Sequence, residues 1–144
     1  MAIIRYTASA DNTITNAFDQ SVQTSSRATG SNSGKSDILE VFSIYGQDSG
    51  SSGLSSELSR TLIKFDTTAI KADRTATTLP ASGSVNFYLK LYNAPHSQTV
   101  PKDFTLMVKP VSSSWQEGHG LDMDNYTDLT RDITGSNWVN ANNN

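Results

Sequence analysis

His96 and His119, the only histidines in the 144-residue sequence, are the first residues to weigh for chemistry, because imidazole titrates near neutral pH and is the commonest metal ligand. Both stand beside turn formers, Pro95 in one case and Gly118 and Gly120 in the other, and no His-x-x-x-His or His-Glu spacing accompanies them. They read as exposed loop histidines. The one local acidic cluster is LDMDNYTD, with Asp122, Asp124 and Asp128 around Asn125. Calcium takes roughly six to eight hard oxygens, and a D-x-D-N spacing supplies part of such a shell. The glycine and the terminal bidentate glutamate of an EF-hand loop are missing, so the cluster reads as a solvated turn in which Asp122 or Asp124 caps a short helix. No metal is expected.

Glu117 raises the question of sugar hydrolysis, which needs two carboxylates facing each other across a cleft. The sequence nominates no second carboxylate. The W-x-E-G turn around Glu117 also has a role without chemistry, with Trp115 plugging the core and Gly118 permitting the reversal. Serines are abundant, yet none lies in G-x-S-x-G or S-x-x-K. The sequence therefore predicts no enzyme, no catalytic residue and no cofactor.

The elements that must carry these residues are strands. Serine, threonine and asparagine number 21, 16 and 11, a third of the chain, and such side chains compete with helical backbone bonding and favour turns and exposed strand faces. Val85 to Tyr92 alternates cleanly, with Val85, Phe87, Leu89 and Leu91 on one face and Asn86, Tyr88, Lys90 and Tyr92 on the other. Phe104, Leu106 and Val108 alternate with Thr105, Met107 and Lys109 between Pro101 and Pro110. Arg60 to Phe65 is a third strand, Ile38 to Tyr45 a strand with a slip at Val41-Phe42, and Ile3 to Thr7 and Asn12 to Ala17 are weaker candidates. Thr67 to Ala72 and Asp124 to Leu129 have the look of short helical turns. Ser21 to Ser36 and Gly46 to Ser59 are of low complexity and read as loops or frayed strand ends. The expected fold is all-β, an antiparallel β-sandwich or jelly roll with long Gly/Ser-rich loops and little helix.

The formal charge is −3, without a basic tract, and there is no cysteine, which argues against a nucleic-acid binder, an electrostatic membrane binder, a disulfide scaffold and a thiolate zinc site. Ala2-Ile3-Ile4 is too short for the core of a signal peptide, and no apolar run approaches the roughly 20 residues needed to span a bilayer. A soluble chain made in a cytosol is expected.

RTLIKFDTTAI (Arg60 to Ile70) followed by SVNFYLKLYNA (Ser84 to Ala94) resembles the R-x-L-L-K-F-D-L-S-x-I … A-x-L-x-L-Y core of the DNRLRE-type β-sandwich domains. FTLMVKPVSSSWQEG (Phe104 to Gly118) is similar to the family strand that ends in S-x-W-x-E-G, SNWVNA (Ser136 to Ala141) to its T-W-N-x-A, and Ala10 to Ile14 to its opening D-x-T-I. The resemblance implies a jelly-roll-like sandwich of the kind found in surface, matrix and appendage proteins, without an established catalytic centre. In that family further strands follow the tryptophan segment, whereas this sequence stops at Asn142-Asn143-Asn144. The expectation is a single domain over 1–144 lacking its last strands, with either further polypeptide or a neighbouring chain completing the sandwich.

With no leader and no cysteine, this pattern looks most like a structural component of a tailed-phage virion, assembled in the host cytoplasm and placed in the tail, in the neck or on the head exterior. Its expected partners are other virion proteins and copies of itself, with no nucleic acid and no membrane; the alternative is a carbohydrate-binding or adhesion module that contacts surface glycans. Phe65, Phe87, Leu89, Leu91, Leu106, Val108 and Trp115 are the expected core, since they hold the apolar phase of the strongest strands. Tyr88 and Tyr92, on the opposite face from Phe87 and Leu91, are the expected subunit-contact residues.

Overall fold

The computed structural model describes residues 3–17, 27–47, 55–80, 83–97, 103–121 and 134–142. The acidic cluster with Asp122, Asp124 and Asp128, and the helical turn expected at 124–129, lie outside them. Backbone contacts group the chain into two compact units, Met1–Phe65 with Ser113–Asn144, and Asp66–Ser112.

The first unit holds β1 (Ala8–Thr15), β2 (Ser43–Gln47) and β3 (Ser55–Phe65), an antiparallel sheet in the order β1-β3-β2. β3 contains the RTLIKF strand legible in the sequence and is long enough to serve two partners in succession. Its later half pairs with β1, from Thr15 opposite Ser59 to Ala8 opposite Phe65, and its earlier residues pair with β2, from Ser43 opposite Leu58 to Gln47 opposite Ser55. Each pairing has one irregularity. Between Ala8 and Ala10 the extra residue is Ser9, whose hydroxyl donates to Lys64 O at 3.2 Å; between Tyr45 and Gln47 it is Gly46. Residues 55–59, expected as loop or frayed strand end, are the first residues of β3, because the partner backbone overrides the weak propensity of serine.

Two other expectations are corrected here. Ile38 to Tyr45 enters the sheet only at Ser43. Ahead of it, Phe42 N donates to the Ser59 hydroxyl at 2.7 Å, Ser59 N donates to Phe42 O at 3.1 Å, and the same hydroxyl donates to Glu40 O at 2.9 Å. A serine side chain thus takes the place of ladder bonds. Ile3 to Thr7 is not a strand.

The buried set is polar, contrary to the sequence expectation. Among the described residues the buried hydrophobic ones are Ile14, Ala17, Ala28 and Leu79, whereas the largest fully buried side chains include Asn12, Asn32, Thr13 and Thr15. Ala17 and Ala28 form a small cluster with Phe42 packed against it. Phe65 and Trp115 are half-buried. Phe87, Leu89, Leu91, Leu106 and Val108 are exposed, Phe87 to 62% and Val108 to 75%. The reason is that Val85 to Tyr92 and Phe104 to Val108 keep their alternation but have no sheet partner among the described residues, and a strand buries a face only when neighbours supply a layer.

The second unit holds α1 (Thr67–Thr75), which begins where expected and runs three residues beyond Ala72. Asp66 caps it, its carboxylate accepting from Thr68 N at 2.8 Å, so one first-turn amide without an intrahelical partner is satisfied by an aspartate side chain. Ala76 N closes on Ala72 O at 2.9 Å and Leu79 N on Asp73 O at 3.0 Å, with Leu79 buried beneath the turn. Between them Thr77 adopts φ 58°, a left-handed conformation that a β-branched residue tolerates poorly and glycine adopts freely. Thr77→Gly is expected to stabilise the chain by about 0.5–1 kcal/mol, the relieved strain exceeding the added flexibility of the unfolded chain. A urea titration checks this, and a lower midpoint would refute it.

Candidate functional site

Two regions gather the residues that the sequence singled out. The first is a junction in the first unit, where four separated stretches are joined by asparagine side chains. Asn12, on β1, donates through Nδ2 to Ser136 O at 3.0 Å and to the Ser136 hydroxyl at 2.8 Å, and its Oδ1 accepts from Ser33 N at 3.0 Å. Asn32 donates to Thr134 O at 3.2 Å and accepts from Gly120 N at 3.0 Å. Lys35 N donates to Gly120 O at 2.9 Å and Ser136 N to Gln116 O at 2.8 Å. Ser31, Asn32 and Ser33, which read as low-complexity loop, are buried at the centre of this arrangement. Glycine makes it feasible: a Cβ on Gly118 or Gly120 would overlap Asn32, and one on Gly135, at φ 89°, would overlap Gly118.

Glu117 lies on this junction and is exposed, its Oε1 accepting from Asp11 N at 2.9 Å. Asp11 is the second carboxylate that sequence reasoning missed, 106 residues away along the chain. Its carboxyl is held above the ordinary carboxylate range, first by burial and then by the charge of Glu117. The Glu117 carboxylate is committed to a backbone amide, which makes it a clasp between β1 and the W-x-E-G turn. His119, also exposed, places Nδ1 2.6 Å from the Thr134 hydroxyl, while His96 is exposed at the surface of the second unit. Among the described residues no group of three or more His, Cys, Asp or Glu side chains is arranged to hold a metal ion.

Because the Asp11 carboxyl is raised, the folded chain holds that proton more tightly than the unfolded one, so its ionisation removes stability as pH climbs through its titration range. Asp11→Asn is expected to raise the melting temperature slightly at neutral pH. The gain should vanish in acid below the usual carboxylate range, where both forms are neutral. Thermal melts at the two pH values decide this; an equal shift at both would sink the assignment.

The second region is Val85 to Tyr92. Tyr88 and Tyr92 are 87% and 80% exposed and Leu89 is 45% exposed, so both phases of the alternation meet solvent. The Lys90 ammonium sits 4.7 Å from the Tyr92 ring centroid, within cation–π range. No backbone hydrogen bond between described residues involves this segment. In the first unit a comparable pair, the Arg60 guanidinium 4.3 Å from the Trp138 ring, covers the half-buried tryptophan.

No family model, curated protein or solved structure matches the chain. What the fold and sites define directly is a class: among the described residues, a mostly β chain with one short helix and a polar junction. None of the described helices is long and apolar enough to cross a membrane.

Proposed function

We propose that the chain is a non-enzymatic structural component of a phage virion, built as a jelly-roll-like sandwich and acting through subunit contacts in multiple copies. The observation that carries this reading is the exposure of two amphipathic segments whose apolar residues, among them Phe87, Leu91, Phe104 and Val108, lie in solvent. A monomer that works alone gains nothing from such a surface, whereas an assembly subunit needs it. The resemblance of RTLIKFD and SSWQEG to appendage-type sandwiches supports the same reading, as does the engagement of Glu117 in a structural hydrogen bond with Asp11.

The test is mass spectrometry of purified particles. A fixed copy number per particle is the expected result, and absence from particles overturns the proposal. The exposure of Tyr88 and Tyr92 favours a second reading, a glycan-contacting adhesion module. Selective hits on a glycan array that vanish in Tyr88→Ala would establish that reading instead.

A further inference from the structure

We infer that Val85 to Tyr92 pairs with the same segment of a second copy of this chain, forming an antiparallel two-fold ribbon centred on Leu89. The inference rests on the subunit-contact reading above and names the partner. Its basis is self-complementarity. Opposite residues in an antiparallel pair share a face, and only registers that keep the apolar phase together are stable when that phase is to be buried. The register centred on Leu89 sets Phe87 against the partner's Leu91 and Leu89 against the partner's Leu89, so the exposed apolar face becomes a continuous ladder. On the other face Tyr88 stands opposite the partner's Lys90.

Charge fits as well. Lys90 is the only charged residue from Val85 to Tyr92, and this register opposes it to an aromatic ring and not to its own copy. The ammonium already lies 4.7 Å from the Tyr92 centroid, so pairing would place it between two rings, its own and that of the partner's Tyr88. The backbone is available, since no hydrogen bond between described residues uses it. The segment also lacks the proline and the inward charge with which proteins usually blunt an exposed strand. The second amphipathic stretch differs there, because Pro110 ends it. A two-fold axis through one residue is the isologous geometry of most homodimers.

Sedimentation equilibrium of the full chain across the micromolar range is the test. The parent should show a reversible dimer. Leu89→Lys and Leu89→Glu each set like charges directly opposite at the axis, and each should weaken self-association about tenfold or more. An equimolar mixture of the two should recover the dimer as a heterodimer. Circular dichroism guards against misfolding, and Leu89 is already partly in solvent. A parent that stays monomeric, or charge variants that dimerise as well as the parent, would overturn the pairing. So would weakened variants that mixing fails to rescue. A monomer that is nevertheless found in particles would remove the self-pairing and leave the virion reading standing, whereas a dimer absent from particles would do the reverse.

Discussion

Gly120→Ala is expected to cost roughly 4 kcal/mol or more, enough to unfold the chain near physiological temperature if its stability lies at the low end of the usual range of about 5–15 kcal/mol. The added methyl would overlap the backbone oxygen of Asn32, a group that cannot rotate away as a side chain would. Overpacking of this kind costs about 1–3 kcal/mol where neighbours yield and more where they do not. The displacement also breaks the bond from Gly120 N to Asn32 Oδ1, 3.0 Å, and the bond from Lys35 N to Gly120 O, 2.9 Å. Each buried group left unpaired adds about 1–3 kcal/mol. Gly30→Ala is the matched control, since nothing lies within 4 Å of its added Cβ. That change should stay within about 0.5 kcal/mol of the parent. Equal urea midpoints for the two variants would show that the glycine contact is not the constraint argued here.

The contrast between these glycines explains what was legible in the sequence. RTLIKF and the helical turn from Thr67 are local patterns, and β3 and α1 contain them. The junction is assembled from positions up to 124 residues apart, as in the bond from Asn12 to Ser136. Each partner, taken locally, has the composition of a turn. Ser31-Asn32-Ser33 therefore reads as low complexity, although burial of all three makes them the interior. The same holds for Asp11 and Glu117, whose proximity no spacing rule can reveal. A usable signal was present in Gly118, Gly120 and Gly135, small residues clustered around asparagines near the W-x-E-G turn.

The core expectation failed for a different physical reason. Alternation in Val85 to Tyr92 states which residues share a face, and it is silent on what covers that face. A buried phenylalanine costs about 3–5 kcal/mol on truncation to alanine; Phe87 is 62% exposed, so most of that contribution is absent from the chain on its own. Under the pairing inferred above, the penalty would appear in assembly and not in folding. The polar interior compensates only in part, because hydrogen bonds between buried groups contribute about 1 kcal/mol each net of their desolvation. Their larger effect is specificity: an unmatched donor or acceptor is costly, and the arrangement adopted finds partners for the side-chain amides of Asn12 and Asn32, while the buried hydroxyls of Ser31 and Ser33 have no hydrogen-bond partner among the described residues.

That asymmetry gives the other large expected effect, at Asn12. Its side chain is fully buried and meets both Ser136 oxygens as donor and Ser33 N as acceptor. Asn12→Leu removes all three bonds while keeping the same branched outline of side-chain heavy atoms. Ser33 N keeps its bond to Thr13 O at 3.0 Å, so the chief loss is at Ser136, and a cost of about 2–3 kcal/mol is expected. Asn12→Asp retains the acceptor toward Ser33 but turns the donor into a second oxygen facing Ser136 O, and it buries a charge with no cation among its contacts. At neutral pH it should cost more than the leucine, about 3–5 kcal/mol. Burial and the facing oxygens both favour the protonated form of the introduced carboxyl, which restores a donor toward Ser136. Its penalty, measured against the parent by urea denaturation at each pH, should therefore shrink as pH is lowered, while that of Asn12→Leu should not change. If the aspartate is the milder substitution at neutral pH, or if its penalty is flat with pH, the donor role assigned to Asn12 Nδ2 is wrong, and the junction is held by shape and not by matched hydrogen bonds.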